Sequence, residues 1–247
     1  MIEGPEEHFD DAPSAVDAEQ AMHIHRPKPL HGARELLTEI GVIVIGIVIA
    51  LTGEQLVEHL RWTHDVGQAR ESLKGEMELA DRFFALRVAA SSCVERRLDT
   101  LDDIIEKAAQ HKPVQKLGSV GGEPYIGSGL SDSKWQAERA SQTLTHFDET
   151  ELGLLGYYYH QLDSVADLVF REDDAWAELR ILEGDPARLG PEDFAGLRRA
   201  LQHARFDNYL ITSISGKELR FAKALHMEAP EPDRSRLEKV CAPTTAR

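Results

Sequence analysis

From Ile40 to Leu51 the chain reads Ile-Gly-Val-Ile-Val-Ile-Gly-Ile-Val-Ile-Ala-Leu, twelve residues without a polar side chain. A helix that spans the hydrocarbon core of a bilayer needs about 20 mostly apolar residues, so the run alone is too short. Its flanks extend it, because between Leu36 and Val57 only Glu39 and Glu54 are charged and each lies near one end. A buried β-strand is the plainest alternative, but the run exceeds a typical strand and no partner strands are evident elsewhere. A cleaved signal peptide would need a small-x-small site, whereas Thr-Gly-Glu-Gln-Leu follows Leu51. An uncleaved anchor over residues 36–57 fits best.

The residues before the run fix its orientation. Between Met22 and Glu35 stand Arg26, Lys28 and Arg34, with one acid and three histidines. Basic residues gather on the cytoplasmic side of a membrane helix, which puts residues 1–35 inside and everything after about Gly53 outside. Arg26, Lys28 and Arg34 are therefore expected to contact lipid headgroups, and Trp62, just past the span, to act as an interfacial anchor. Gly46, Ala50 and Gly53 recur at steps of four and three, a stripe along which two membrane helices can approach closely, although glycine is also common in such helices for its own sake.

The box His23-Ile-His-Arg-Pro-Lys-Pro-Leu-His-Gly32, followed by Arg34-Glu35, Glu39-Ile-Gly41, the Val/Ile/Gly run and Glu54-Gln55, resembles the start of a family of bacterial single-pass membrane proteins of uncharacterised function. The resemblance covers about 35 residues, with a further likeness around Trp135. It implies a single membrane helix and a helical extracytoplasmic portion, and it brings no catalytic residues. The acidic segment Met1–Ala21 departs from the family pattern, which begins near Met22, leaving Met22 as an alternative start.

Charge is unevenly spread. The chain carries 43 acidic against 28 basic residues, a net charge of -15. Seven of those net negative charges lie in residues 1–21, which contain no Lys or Arg, two prolines and few large apolar groups. Such a segment cannot bury enough surface to offset its ordering entropy and reads as a disordered tail. An acidic surface is repelled by phosphate backbones, so nucleic acid is not an expected partner. With 29% charged residues the chain is not a polytopic membrane protein, and its two cysteines cannot form a disulfide scaffold.

Beyond the membrane segment the periodicity is helical throughout. Leu73, Met77, Ala80, Phe84, Val94, Leu98, Leu101, Ile105 and Ala108 form a heptad stripe interrupted by Arg87 and Ser91. A helix over Gln68–His111 would be about 66 Å long, with Gly67 and Gly75 as weak points at its junction with the membrane helix. Lys112–Leu130 is an irregular, glycine-rich loop. Ser133 with Gln136 forms a capping-box signature for a helix to about Thr145, and Asp148 with Glu151 marks another start. Leu152, Leu155, Tyr159, Leu162, Ala166, Val169 and Trp176 follow as one stripe, ending near Gly184. Gly190-Pro191 opens a last helix carrying Phe194, Leu197, Leu201, Ala204, Ile211, Ala222 and Leu225, stopped by Pro230 and Pro232. The expected fold is all-α: one N-terminal transmembrane helix, then a long helix and an antiparallel bundle of about four helices. The domain order is an acidic tail (1–21), a basic juxtamembrane segment (22–35), the membrane helix (36–57), a helical extracytoplasmic domain (58–229) containing the loop 112–130, and a flexible tail (230–247).

No residue pattern completes a catalytic or cofactor site. Gly121-Gly122 lacks the lysine and the preceding strand of a phosphate loop. His23, His25 and His31 are better explained by a headgroup-facing box than by a metal. His160 with Asp163 lacks the Glu-x-x-His pair and its second copy that a dinuclear site needs. His59 and His64 read as a solvated helix face, as does the acidic run Glu172-Asp-Asp174, which lacks the glycine and terminal glutamate of a calcium loop. Cys93 and Cys241 face an oxidising compartment under this topology and are free to bridge within or between chains, with no geometry in the sequence to favour either. No metal or cofactor is expected. The expected partners are the lipid bilayer and a protein, a second copy of the chain included, reached through the helices. The function that follows is a non-enzymatic partner- or ligand-binding module at a bacterial inner membrane, with the helical domain in the periplasm. Two alternatives remain: an anchored enzyme whose site assembles from distant residues, and a sensor-like bundle acting through a partner.

Overall fold

The computed structural model describes residues 32–114, 116–121, 130–225, 227–228 and 230–246. The chain divides into two units, Met1–Gln55 and Leu56–Arg247. The fold is all-α, apart from one short strand pairing among the described residues.

Helix α1 runs from Ala33 to Ala109. The break expected at Gly67 and Gly75 is absent. A glycine in a helix costs about 1 kcal/mol, and here the helix is held by Val66, Ala69 and Leu73, all buried in the core beside those exposed glycines.

Three long helices build the unit Leu56–Arg247: the later part of α1, α3 (Glu149–Leu179) and α4 (Pro191–Ala224). Their heptad and helical stripes face inward as the sequence predicts, with Leu73, Met77, Phe84, Val94, Leu98, Tyr159, Leu162, Trp176, Leu197, Leu201 and Ile211 buried. The helix directions differ in one respect from a simple antiparallel bundle. Arg70, Met77 and Arg87 of α1 bond in turn to Glu151, Tyr158 and Glu172 of α3, so those two run parallel. Helix α4 runs against both, since Arg205 reaches Asp99 whereas Asn208 reaches Arg87. A parallel pair needs a long return, and the chain from the end of α1 at Ala109 to Ser133, which stands at Glu76, is long enough for it. The stretch of α1 between them is about 50 Å, within the reach of a chain of this length.

The return ends at α2 (Ser133–Ala140). Its expected capping box is not formed. Instead the carboxylate of Glu76, from α1, accepts from the backbone N–H groups of Lys134 (3.0 Å) and Trp135 (3.3 Å) and from the Ser133 hydroxyl. The helix N-terminus carries positive partial charge and unpaired N–H groups, so a carboxylate from a neighbouring helix caps it as well as a local one. Helix α2 stops at Ala140, short of the expected Thr145, and a 3-10 turn covers Thr143–His146 after Gln142 takes a left-handed conformation. The start signal at Asp148 holds: its side chain accepts from Thr150 N–H and Glu151 N–H.

Residues 230–246 form no free tail. Helix α5 (Arg234–Val240) buries Val240, Cys241 is joined to Cys93 by a disulfide with Cα atoms 5.4 Å apart, and β2 (Thr245–Ala246) pairs antiparallel with β1 (Leu117–Ser119). Arg97 adds donors to the carbonyls of Val240 and Ala242. The polar composition suggested a tail, but a few apolar anchors and one covalent bond suffice to fold it back. Gly121 stands next to this anchorage with φ +107°, and a Cβ there would clash with the Arg97 side chain, so only glycine fits.

Closing a loop of 148 residues with a disulfide restricts the unfolded chain strongly, by several kcal/mol in the chain-entropy view. Replacing Cys241 with Ser should lower the urea unfolding midpoint of the detergent-solubilised protein by the equivalent of about 3 kcal/mol. The wild type should migrate faster on a non-reducing gel than after reduction, and unchanged migration would contradict the bond.

Candidate functional site

Two regions hold the residues from which a function can be argued, one in each unit. In the first, the side chains of the apolar run project outward: Ile43, Ile45 and Ile49 are exposed, and no residue of the apolar window is buried. This is one helix near the N-terminus long and apolar enough to cross a membrane. Arg34 is exposed at its start, whereas Arg26 and Lys28, with residues 23–31 of the basic box, lie outside the described residues. Gly46, Ala50 and Gly53 are exposed, with open space where a Cβ would stand at either glycine. Trp62 belongs to the other unit, where its ring stacks on His146 at 3.7 Å and its Nε1 donates to Glu58.

The second region is the interior of the helical unit, where a polar layer separates two apolar clusters. One cluster gathers Leu73 to Phe84 with Tyr158 to Val169, the other Ala90 to Ala108 with Ala175 to Leu182. Between them Arg87, 1% exposed, donates to Glu172 Oε1 at 2.8 Å and to Asn208 Oδ1 at 3.2 Å. Burial pushes the Glu172 carboxyl up and the Arg87 charge pulls it back down, the rise prevailing. This corrects the reading of Glu172-Asp-Asp174 as a solvated face: Glu172 is buried, Asp173 half-buried and Asp174 exposed. Asp207, next to Asn208, pairs outward with Arg171 at 2.5 Å.

A turn or two toward the other end lies an acidic pair. Asp81 of α1 is 0% exposed and Glu218 of α4 is 1% exposed. Tyr158 of α3 donates its hydroxyl to Asp81 Oδ1 at 3.0 Å. Asp81 Oδ2, both carboxylate oxygens of Glu218 and the hydroxyl of Ser215 have no hydrogen-bond partner among the described residues. Burial pushes the Asp81 carboxyl up to about 6, with the Tyr158 hydrogen bond opposing and the Glu78 charge assisting. Burial also pushes Glu218 up to about 7, assisted by the Asp81 charge and opposed by Lys217. Buried carboxyls that titrate near neutrality are the groups from which proton-transfer and cation-binding sites are made.

Asp81 also lines a groove of about 620 Å³. Its α1 wall carries Lys74, Glu78 and Arg82, all exposed. Its opposite wall, from the segment after α4, carries Met227, Glu228, Pro230 and Glu231. His59, His64, His160 and Asp163 are exposed and apart from this groove. Among the described residues no group of three or more His, Cys, Asp or Glu could hold a metal ion.

The sequence reading passes over Asp81, Tyr158, Asn208 and Glu218, and it sets Glu172 on a solvated face. A signal was present: the stripe of α4 skips from Ile211 to Ala222, and the intervening steps of four and three land on Ser215 and Glu218. Likewise Val169 plus three is Glu172. Polar residues at core positions mark such sites, but their partners sit on other helices and cannot be read from spacing. No protein-family model, curated protein or solved structure matches the chain.

Truncating Glu172 to Ala would strand the Arg87 charge in the core, a change that typically costs about 3–5 kcal/mol; chemical denaturation should register a loss of that order. The acidic pair sets a pH dependence of the opposite sense to ordinary salt-bridged carboxylates. Both folded values lie above the ordinary 3.8 and 4.5, so between about pH 4 and 7 the folded state holds more protons and stability falls as pH rises. The unfolding midpoint should therefore drop from pH 5 to pH 8. Glu218→Gln should remove part of that drop and gain on the order of 2 kcal/mol at pH 8; an unchanged pH profile in the variant would remove Glu218 as its source.

Proposed function

We propose that this chain is a single-pass membrane-anchored protein whose helical unit stands on the extracytoplasmic side of a bacterial inner membrane and binds a ligand or a protein partner there, without catalysis. The observation that carries the anchor is the apolar surface of Ile40–Leu51, none of which is buried and which lipid would solvate better than water. The orientation rests on Arg26, Lys28 and Arg34 lying on its N-terminal side. A Cys93–Cys241 bond agrees with that orientation, because structural disulfides persist in oxidising compartments and are rare in the cytoplasm. Gly46, Ala50 and Gly53 offer the close-approach stripe through which two copies would associate. The groove beside Asp81 supports the binding half of the reading: its volume falls in the range of small-molecule sites, and its polar groups converge from two elements.

One observation favours a second reading, an anchored enzyme. A carboxyl raised toward neutrality in a groove is suited to general acid–base work. The two readings separate on a single variant, since a hydrolytic activity of the purified protein lost in Asp81→Asn would select the enzyme.

Topology decides the anchor. A cytoplasm-active fluorescent reporter should work when fused at Glu35 and fail after Arg247, and a periplasm-active phosphatase should do the reverse. Both ends in one compartment would end the proposal.

A further inference from the structure

We infer that the groove between α1 and the segment following α4 binds a small organic cation through a primary ammonium group, with Asp81 as its counter-ion. The inference deepens the binding-module reading and rests on its ligand-binding half, not on the membrane topology.

Charge favours a cation first. Four carboxyl groups, Glu78, Asp81, Glu228 and Glu231, face the groove against the two bases Lys74 and Arg82. Exposed acids alone would be a solvated surface, but Asp81 is different in kind: it lines the groove while being wholly buried, and only one of its two oxygens is satisfied. Behind it Glu218, also buried, has both oxygens without a donor, and the two carboxyls lie near enough that the charge of Asp81 acts on Glu218. Buried acceptors are nearly always paired, so the orphaned Oδ2 of Asp81 at the groove, with Glu218 unpaired near it, calls for an explanation.

An ammonium group answers that requirement. It has three N–H donors, no acceptor and a positive charge, so it would donate to the unpaired Asp81 Oδ2 and be held in the negative field to which Glu218 and the rim acids add. A hard divalent ion is a poorer match, since it needs six or more oxygens at close range and the described residues gather no such set. Met227 and Pro230 give the groove an apolar wall against which an alkyl chain would lie, and its volume admits a molecule well beyond ammonia in size. Lys74 and Arg82 at the rim would turn away a ligand carrying a second charge at the wrong spacing.

The test uses the full-length protein in detergent and 1,4-diaminobutane as the probe, with tetramethylammonium, which has charge but no N–H donor, and Mg²⁺ and Ca²⁺ as comparisons. Calorimetric titration at pH 8 should give saturable binding of the diamine, at least tenfold weaker for tetramethylammonium and weakened tenfold or more by Asp81→Asn. Because Asp81 is in the core, the paired rim variant Glu78→Gln/Glu231→Gln, which leaves the core untouched, should weaken binding by about threefold to fivefold through lost field. Affinity should fall from pH 8 to pH 5 as Asp81 takes up a proton. The groups facing it are Tyr158 from α3, Glu218 from α4, and Glu78, Lys74 and Arg82 from α1, with Glu228 and Glu231 across the groove; among them Glu218 titrates in the same interval. No saturable diamine binding, equal binding of tetramethylammonium, binding of Mg²⁺ or Ca²⁺ in place of the diamine, or undiminished binding in folded Asp81→Asn and in the rim variant would each overturn the inference. Failure here with the expected topology leaves the anchor standing, and diamine binding with the wrong topology leaves the groove standing.

Discussion

The Arg87–Glu172 ion pair is the constraint on which the helical unit depends. Both groups are removed from water, so each brings a desolvation cost that is met only when the other stands within hydrogen-bond distance. That requirement fixes how far α1 and α3 may slide along one another, and Asn208, accepting from the same guanidinium, extends it to α4. An all-apolar seam would tolerate a shift by one heptad, because leucine layers are interchangeable. A single buried charge layer is not interchangeable, and it sets the register of α1 against α3, while the parallel direction is held by the further contacts of Arg70 with Glu151 and Met77 with Tyr158.

The two ends of the unit are held by unlike means. At one end Glu76 caps α2 from across the helix interface and Trp135 stacks on Tyr159, so the return connection is tied to the bundle by a charge–dipole contact and an aromatic pair. At the other the disulfide, the Arg97 donors and the β1–β2 pairing bind the C-terminal segment to the far half of α1. The acidic pair Asp81–Glu218 lies between these fastenings. Its unpaired oxygens would be a liability in a region free to open, and a bundle clamped on both sides can retain them. Fold stability is in this sense spent on holding two reluctant carboxyls beside a groove, which is how proteins commonly keep groups whose chemistry is wanted.

The stripes at Leu73–Ala108, Leu152–Trp176 and Phe194–Leu225 were legible because one-sided burial imposes a 3.6-residue period that survives in any sequence of such helices. Asp148 and Gly190-Pro191 were legible because capping is local. Arg87 was visible only as an interruption of a heptad. Its meaning, and that of Glu172, Ser215 and Glu218, required knowing which helices face one another. The Ser133–Gln136 signature misled for a related reason: a cap needs only an acceptor in the right place, and Glu76 from another helix occupied it first. The C-terminal segment misled because polar composition reports the average residue, whereas a few anchors, Val240, Cys241 and the strand at Thr245–Ala246, decide where it lies.

By itself the sequence determined what each segment must avoid. Ile40–Leu51 must avoid water, the apolar stripes must be covered, and the glycine- and proline-rich stretch 112–130 must leave the helix, all consequences of solvation and backbone sterics that act residue by residue. Only the tertiary structure decided the direction of α3, the partner of Arg87, the bridging of Cys93 to Cys241 and the meeting of Asp81 with Glu218 at a groove. Those are relations between residues from 81 to 148 positions apart, and the energies that select them, desolvation, charge pairing and covalent closure, exist only when the chain has already brought them together.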